Sequence, residues 1–185
     1  MMYHYFIRHG HAEHQIGEFR QRVTWLEYQD LQKDWLSAEL TPEGITGVQS
    51  FALEMKGKFK KILHSPLLRV RQTVSIMNME NVPVQQIELL SEIGAPPPCL
   101  PIRMSVHSWL IYNTVYDFFS FKIVRYLREA GEVLKQLELE NEPCLVVSHQ
   151  FRLRTLLLKM CIQPAKWRIL GISLKPVGLT FIKKV

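Results

Sequence analysis

Arg8-His9-Gly10 places a cation, an imidazole and a residue without a side chain in direct succession. A neutral imidazole is a nucleophile, a guanidinium offers phosphate a planar fork of donors, and glycine lets the backbone approach a ligand closely. A tripeptide of this kind is common by chance, and a histidine at a strand end is more often a hydrogen-bonded structural residue. Company raises its weight. Ser65-Pro66-Leu67-Leu68-Arg69 sets Arg69 one turn into an expected helix, where it can join the helix N-terminus in binding an anion. Val146-Val147-Ser148-His149 is a buried-type run that also ends on histidine. Phosphoryl transfer needs an in-line nucleophile and neutralisation of spreading negative charge; two arginines and a second histidine supply the latter.

These side chains need a scaffold that brings them to one place. Tyr3 to Arg8 is aromatic and β-branched and stops at Gly10, which predicts a first strand with His9 at its C-terminal end. Thr41 as cap and Pro42 at the first helical position predict a helix from Pro42 to Lys56, ended by Gly57. Further expectations are a strand at Lys61 to His64, a helix from Pro66 to Met77 and a strand around Gln86 to Leu90. Gly94 to Pro101 holds four prolines in eight residues, too many for a helix or a central strand, and reads as an extended loop. Helices follow over Ser105 to Phe119 and Lys122 to Leu139, the second with Ile123, Leu127, Ala130, Leu134 and Leu137 at helical spacing. Pro143 to Ser148 is then a buried strand and Arg152 to Cys161 a helix, while Ile169 to Leu174 and Gly178 to Ile182 suit edge strands or a hairpin. This alternation predicts an α/β fold, a three-layer α/β/α sandwich with a mostly parallel central sheet. Both histidines would stand at the strand ends where open sheets of this kind bind ligands.

The 185 residues, 47% of them hydrophobic, suit one domain built on one sizeable core. No stretch reaches the roughly 18 apolar residues of a membrane span, and the N-terminal residues carry no secretion pattern, so the expected location is the cytoplasm. Cys99, Cys144 and Cys161 are odd in number and widely spaced, which predicts reduced and mostly buried thiols. The formal charge of +6 is scattered and fits an anionic small substrate. A nucleic-acid role would show as unspecific binding that collapses with added salt, and no such partner is expected.

Together the pieces resemble the histidine phosphatase superfamily, with its phosphoglycerate mutase-like fold, and within it a bacterial branch of small phosphatases. The marks are Phe6-Ile7-Arg8-His9-Gly10, Leu40-Thr41-Pro42-Glu43-Gly44, Ser65-Pro66-Leu67-Leu68-Arg69 with Gln72-Thr73, and Val147-Ser148-His149, in an order and spacing that span nearly the whole chain. The resemblance implies that His9 is the nucleophile, that Arg8, Arg69 and His149 hold the phosphoryl oxygens, and that a carboxylic acid after the third strand protonates the leaving group. Glu92 fits that place, with Glu88 and Glu13 as the alternatives. The chemistry expected is hydrolysis of a phosphomonoester, on a small molecule or a phosphoprotein, with no metal and no cofactor. The pH at which His9 becomes neutral is expected to set the acid limb of activity.

The chain departs from the family pattern at three places. Gln15 stands where many relatives have asparagine, Gln150 replaces the glycine after the second histidine, and His11 replaces a glutamate or glutamine. Gln15 is long enough to reach a phosphoryl oxygen, and Gln150 must project near the pocket. Three rival readings follow. A degenerate member would bind a phosphorylated ligand without turnover. A phosphomutase would pass the phosphoryl group to a second hydroxyl, but this chain has room only for a modest cover, expected from residues 16–37 and 99–121. Their Phe19, Trp25, Trp35, Trp109 and Tyr112 would meet an organic leaving group or, more commonly for such residues, pack in a core. Lastly, His9-Gly10-His11-Ala12-Glu13-His14 looks like the histidine cluster of metal-dependent hydrolases, although this reading leaves Arg8 and the Ser65–Arg69 motif unexplained.

Overall fold

The computed structural model describes residues 3–13, 20–77, 79, 81–91, 99–120, 122–173 and 176–184. The chain order is β1 (Tyr3–Arg8), β2 (Arg22–Val23), α1 (Trp25–Ser37), α2 (Pro42–Met55), β3 (Lys61–His64), α3 (Leu68–Met77), β4 (Val84–Gln86), β5 (Met104–Ser105), α4 (Val106–Phe119), α5 (Lys122–Leu139), β6 (Cys144–Ser148), α6 (Gln150–Cys161), β7 (Trp167–Gly171) and β8 (Leu179–Lys184). Six strands form one sheet in the order β4-β3-β6-β1-β8-β7. The first four run parallel, and β8 and β7 extend the sheet as an antiparallel hairpin. The expected α/β fold with a mostly parallel central sheet is the fold observed.

Side-chain alternation builds the three layers. Phe6, Leu63, Cys144 and Val146 point to one face, where they pack on Ala130, Val133, Leu134 and Leu137 of α5 and on Leu153, Leu156 and Met160 of α6. Their neighbours Ile7, Ile62, Leu145 and Val147 point to the other face and meet Val48, Phe51 and Met55 of α2 with Val70 and Met77 of α3. All five residues of β6 are buried, as a strand with helices on both faces requires. The apolar stripe of α5 runs through Tyr126 and Val133 as well, with Ile123 and Leu127 only half-buried at its margin.

Two expectations change. Gln86 to Leu90 is not one strand: β4 ends at Gln86, and Glu88 to Leu90 form a short 3-10 turn whose Leu90 plugs the core. Of the three thiols, all free, only Cys144 is buried, and Cys99 and Cys161 are exposed. The proline-rich loop is described only from Cys99 onward, so the conformation expected of residues 94–98 lies outside the described residues.

The segments expected to cover the site join each other. β2 pairs antiparallel with β5, Arg22 opposite Ser105 and Val23 opposite Met104. Val23, Trp25, Tyr28, Val106 and Trp109 form a third core, separate from the two on the faces of the sheet. Tyr28 stacks on Trp109 with ring centroids 5.8 Å apart, and the Trp109 indole N–H donates to Val23 O at 3.0 Å. Trp25 and Trp109 are therefore core residues of this unit. Phe19 lies outside the described residues. No helix among the described residues is long and apolar enough to cross a membrane.

Candidate active site

His9 follows β1 at the C-terminal edge of the parallel strands, and its main-chain N–H donates to Ser148 O at 3.1 Å. Because β1 and β6 pair with Arg8 opposite Ser148, His9 and His149 leave the sheet side by side. Their ring centroids are 5.2 Å apart, and both residues are buried. Arg69 reaches the same point from the first turn of α3 and is itself buried.

The guanidinium of Arg69 organises the pair. Its Nε donates to His9 Nε2 at 3.0 Å, its Nη2 donates to His149 Nδ1 at 3.2 Å, and its Nη1 donates to the carbonyl of Trp35 in the last turn of α1. An arginine is a donor only, so both imidazole nitrogens facing it carry lone pairs. His9 Nδ1 lies 2.6 Å from Gly10 O, which can only accept, and therefore holds the ring proton. Nε2 is then the atom of a neutral ring that carries the lone pair.

Burial, the Arg69 charge, His149 and Arg8 hold the His9 pKa down at about 2, against a weaker upward pull from the Gly10 carbonyl. The His9 ring is therefore neutral at ordinary pH, which speaks against the expectation that its titration sets the acid limb of activity.

The segment after His9 is braced by the Leu40–Gly44 motif. Thr41 N–H donates to His11 O at 2.9 Å, Glu13 N–H donates to Glu39 O at 2.8 Å, and Ala12 bridges Leu40. Thr41 also caps α2 through Gly44 N–H at 3.0 Å, with Pro42 at the start of the helix. A Cβ at Gly44 would stand 2.1 Å from His11 O, and one at Gly10 would stand 2.8 Å from Val48 Cγ2. The two glycines mark where the loop after β1 and α2 touch. Thr73 completes the brace: its hydroxyl accepts from Gly10 N–H at 3.1 Å and donates to Arg69 O at 2.7 Å, and Gln72 Oε1 accepts from Leu40 N–H at 2.9 Å.

The structure thus brings together His9, Arg69 and His149 of the residues expected from sequence, with the charge of Arg8 near enough to act on the His9 ring. Gln150 is the first residue of α6, half-buried, with His149 as the cap residue. Gln15, Glu92 and His14 lie outside the described residues. Of the alternative acids, Glu88 lies in the 3-10 turn with its carboxylate accepting from Gln86, and Glu13 is exposed. His9 and His11 have separate partners, since His11 Nδ1 pairs with Thr41 Oγ1 at 3.1 Å, and a guanidinium on His9 Nε2 is a poor neighbour for a cation. Among the described residues, no group of three metal-ligating side chains forms. Sequence reasoning gave no task to Thr73, Gly44 or Ser65, although all three stood in the quoted motifs.

The sequence profile of the histidine phosphatase superfamily (branch 1) matches residues 4–96, half of the chain, and the chain belongs to that family. No curated protein matches it significantly. Its fold is similar to that of the crystal structure of a phosphoserine phosphatase from Entamoeba histolytica bound to 3-phosphoglyceric acid, at 24% identity and a TM-score of 0.66 over 98% of this chain and 90% of that one. It is also similar to a mycobacterial glucosyl-3-phosphoglycerate phosphatase, at 15% identity and a TM-score of 0.61 over 97% and 88% of the two chains. An alpha-ribazole phosphatase from Shigella flexneri aligns at 18% identity and a TM-score of 0.59 over 86% and 79%.

Proposed function

We propose that this protein is a phosphatase that hydrolyses a phosphomonoester through a covalent phosphohistidine on His9. The observation that carries the proposal is the single guanidinium of Arg69 facing both His9 Nε2 and His149 Nδ1. A phosphoryl group entering between these atoms meets a neutral nucleophile whose proton is held away on Nδ1, and a fork of donors for its oxygens.

In this reading the phosphate draws the Arg69 guanidinium onto its oxygens, which frees the His9 Nε2 lone pair. Arg8, Arg69 and His149, with Gln15 and Gln150, hold the non-bridging oxygens. The Nε2–P bond forms as the ester P–O bond breaks, and Glu92, the next residue after Ser91, gives its proton to the leaving alkoxide. The resulting carboxylate then takes a proton from water as that water attacks phosphorus, releasing phosphate and returning His9 to its neutral form. Nothing in this cycle calls for a metal or a cofactor.

The unit built from α1, α4 and the β2–β5 pair is the cover over the site within a single catalytic domain. This reading takes a small phosphorylated substrate or a phosphoprotein in the cytoplasm, with no nucleic acid or membrane partner; family membership supports the phosphorylated substrate. Turnover of p-nitrophenyl phosphate by the native chain and by His9→Ala, each with and without chelator, tests the proposal. Chelator-resistant turnover lost in the variant is expected; equal activity in both proteins contradicts it.

A further inference from the structure

We infer that Ser65 is a positioning residue for His149, holding its ring with the proton on Nε2 and the Nδ1 lone pair toward the phosphoryl site. The task of that ring in phosphoryl transfer rests on the function proposed above; the ring form itself does not.

Ser65 is fully buried in the turn that joins β3 to α3. Its main-chain N–H donates to Val147 O at 3.1 Å, which fixes the turn against the end of β6. Its Oγ then lies 2.8 Å from His149 Nε2. On the other side of the ring, Nδ1 faces the Arg69 Nη2 donor at 3.2 Å. Since the guanidinium cannot accept, Nδ1 is bare, Nε2 carries the proton, and the Ser65 hydroxyl oxygen accepts it. Leu67 N–H points at the same oxygen at 3.4 Å, so donors face it from two directions and hold it as an acceptor.

The opposite ring form would set Nδ1–H against the Arg69 N–H and require the Ser65 hydroxyl to turn and donate to Nε2. When Arg69 turns to a phosphoryl oxygen, His149 Nδ1 is left facing the transferred group. A proton taken up there makes it a donor to that group while Nε2–H stays on Ser65. The serine thereby serves both the neutral and the charged ring without moving.

The test combines nitrogen-15 NMR of histidine-labelled protein with steady-state kinetics on p-nitrophenyl phosphate, for the native chain, Ser65→Ala and Ser65→Thr. His149→Gln assigns the ring signals. The native His149 should show a protonated Nε2 and a bare Nδ1. Ser65→Ala, with its fold checked by circular dichroism, should shift the Nε2–H signal as its acceptor is lost and drop kcat by about 10–100-fold with a smaller change in KM, and Ser65→Thr should recover the native ring signals. A native His149 protonated on Nδ1 overturns the inference whatever the variants do. So does a folded Ser65→Ala with the native ring signals and kcat within about twofold of native. A native protein that turns over no phosphomonoester contradicts the hydrolase reading instead, and the ring signals in native and Ser65→Ala protein still decide the role of Ser65.

Discussion

Arg69 donates its Nε–H to His9 Nε2 at 3.0 Å, so the cation suited to gripping a phosphate also covers the lone pair of the proposed nucleophile. Charge alone does not explain this arrangement. Three nitrogens of one planar group meet His9, His149 and the end of α1 at once, which the single ammonium of a lysine cannot reproduce. Arg69→Lys is therefore expected to lower kcat/KM by about 10²–10³-fold. Steady-state kinetics on a chromogenic ester checks this, and a loss smaller than about tenfold would mean that position and charge suffice without the fork.

The depressed His9 pKa has a consequence for stability. In the unfolded chain the ring takes up a proton near its ordinary value of 6.5, whereas the folded ring resists to about 2. The unfolded state thus binds more protons over that interval, and stability is lost progressively as pH falls from about 6.5 toward 2. At pH 5 the contribution from this one group is on the order of 2 kcal/mol. Urea unfolding at pH 7 and pH 5 should show a smaller loss in His9→Gln than in the native chain by about that amount; equal losses would refute the buried neutral ring.

Arg69 is the largest charged cause of that depression, second only to burial. Arg69→Ala should therefore move the His9 titration upward, toward the ordinary histidine range. An NMR titration of the His9 ring reads the shift directly, and an unchanged or lower midpoint would contradict the assigned cause.

Two glycines of α2 make opposite predictions. A Cβ at Gly44 meets His11 O at 2.1 Å, so Gly44→Ala must push the segment after His9 aside and should cost about 3 kcal/mol or more. A Cβ at Gly47 comes no nearer than 3.7 Å to Val177 Cγ2, an ordinary van der Waals contact, so Gly47→Ala fits without a clash within a helix and should stabilise by about 0.5–1 kcal/mol. Urea unfolding of both variants checks the pair, and a Gly44→Ala chain as stable as native would remove the close contact as the reason for the motif.

Much of this architecture was legible in the sequence. The bounds of β1, β3 and α5 agree with the expected segments, because each is an uninterrupted pattern ended by a clear signal: Gly10 after β1, the Ser65-Pro66 turn after β3 and Glu140 to Pro143 after α5. His9, Arg8, Arg69 and His149 were legible because strand ends and a helix start converge at one sheet edge. α1, β2 and β5 were not foreseen as elements. The strands are two residues long and exist only through each other, and α1 buries just Trp25 and Tyr28, in an aromatic core it shares with Trp109 of α4. The strand expected through Leu90 failed for a related reason: Ile87 and Leu90 are apolar at a spacing of three, and they plug one core from a tight turn. The tasks of Thr73 and Ser65 were invisible because they consist of hydrogen bonds to Gly10 and His149, which are distant in the chain.

Rapid quenching of the enzyme during turnover of a phosphorus-32-labelled phosphomonoester shows whether His9 carries the phosphoryl group. The expected result is a protein-bound label on His9 that survives alkali, is lost in acid as phosphohistidine chemistry requires, and is absent from His9→Ala. Steady turnover with no such adduct, or an adduct retained in His9→Ala, would contradict it.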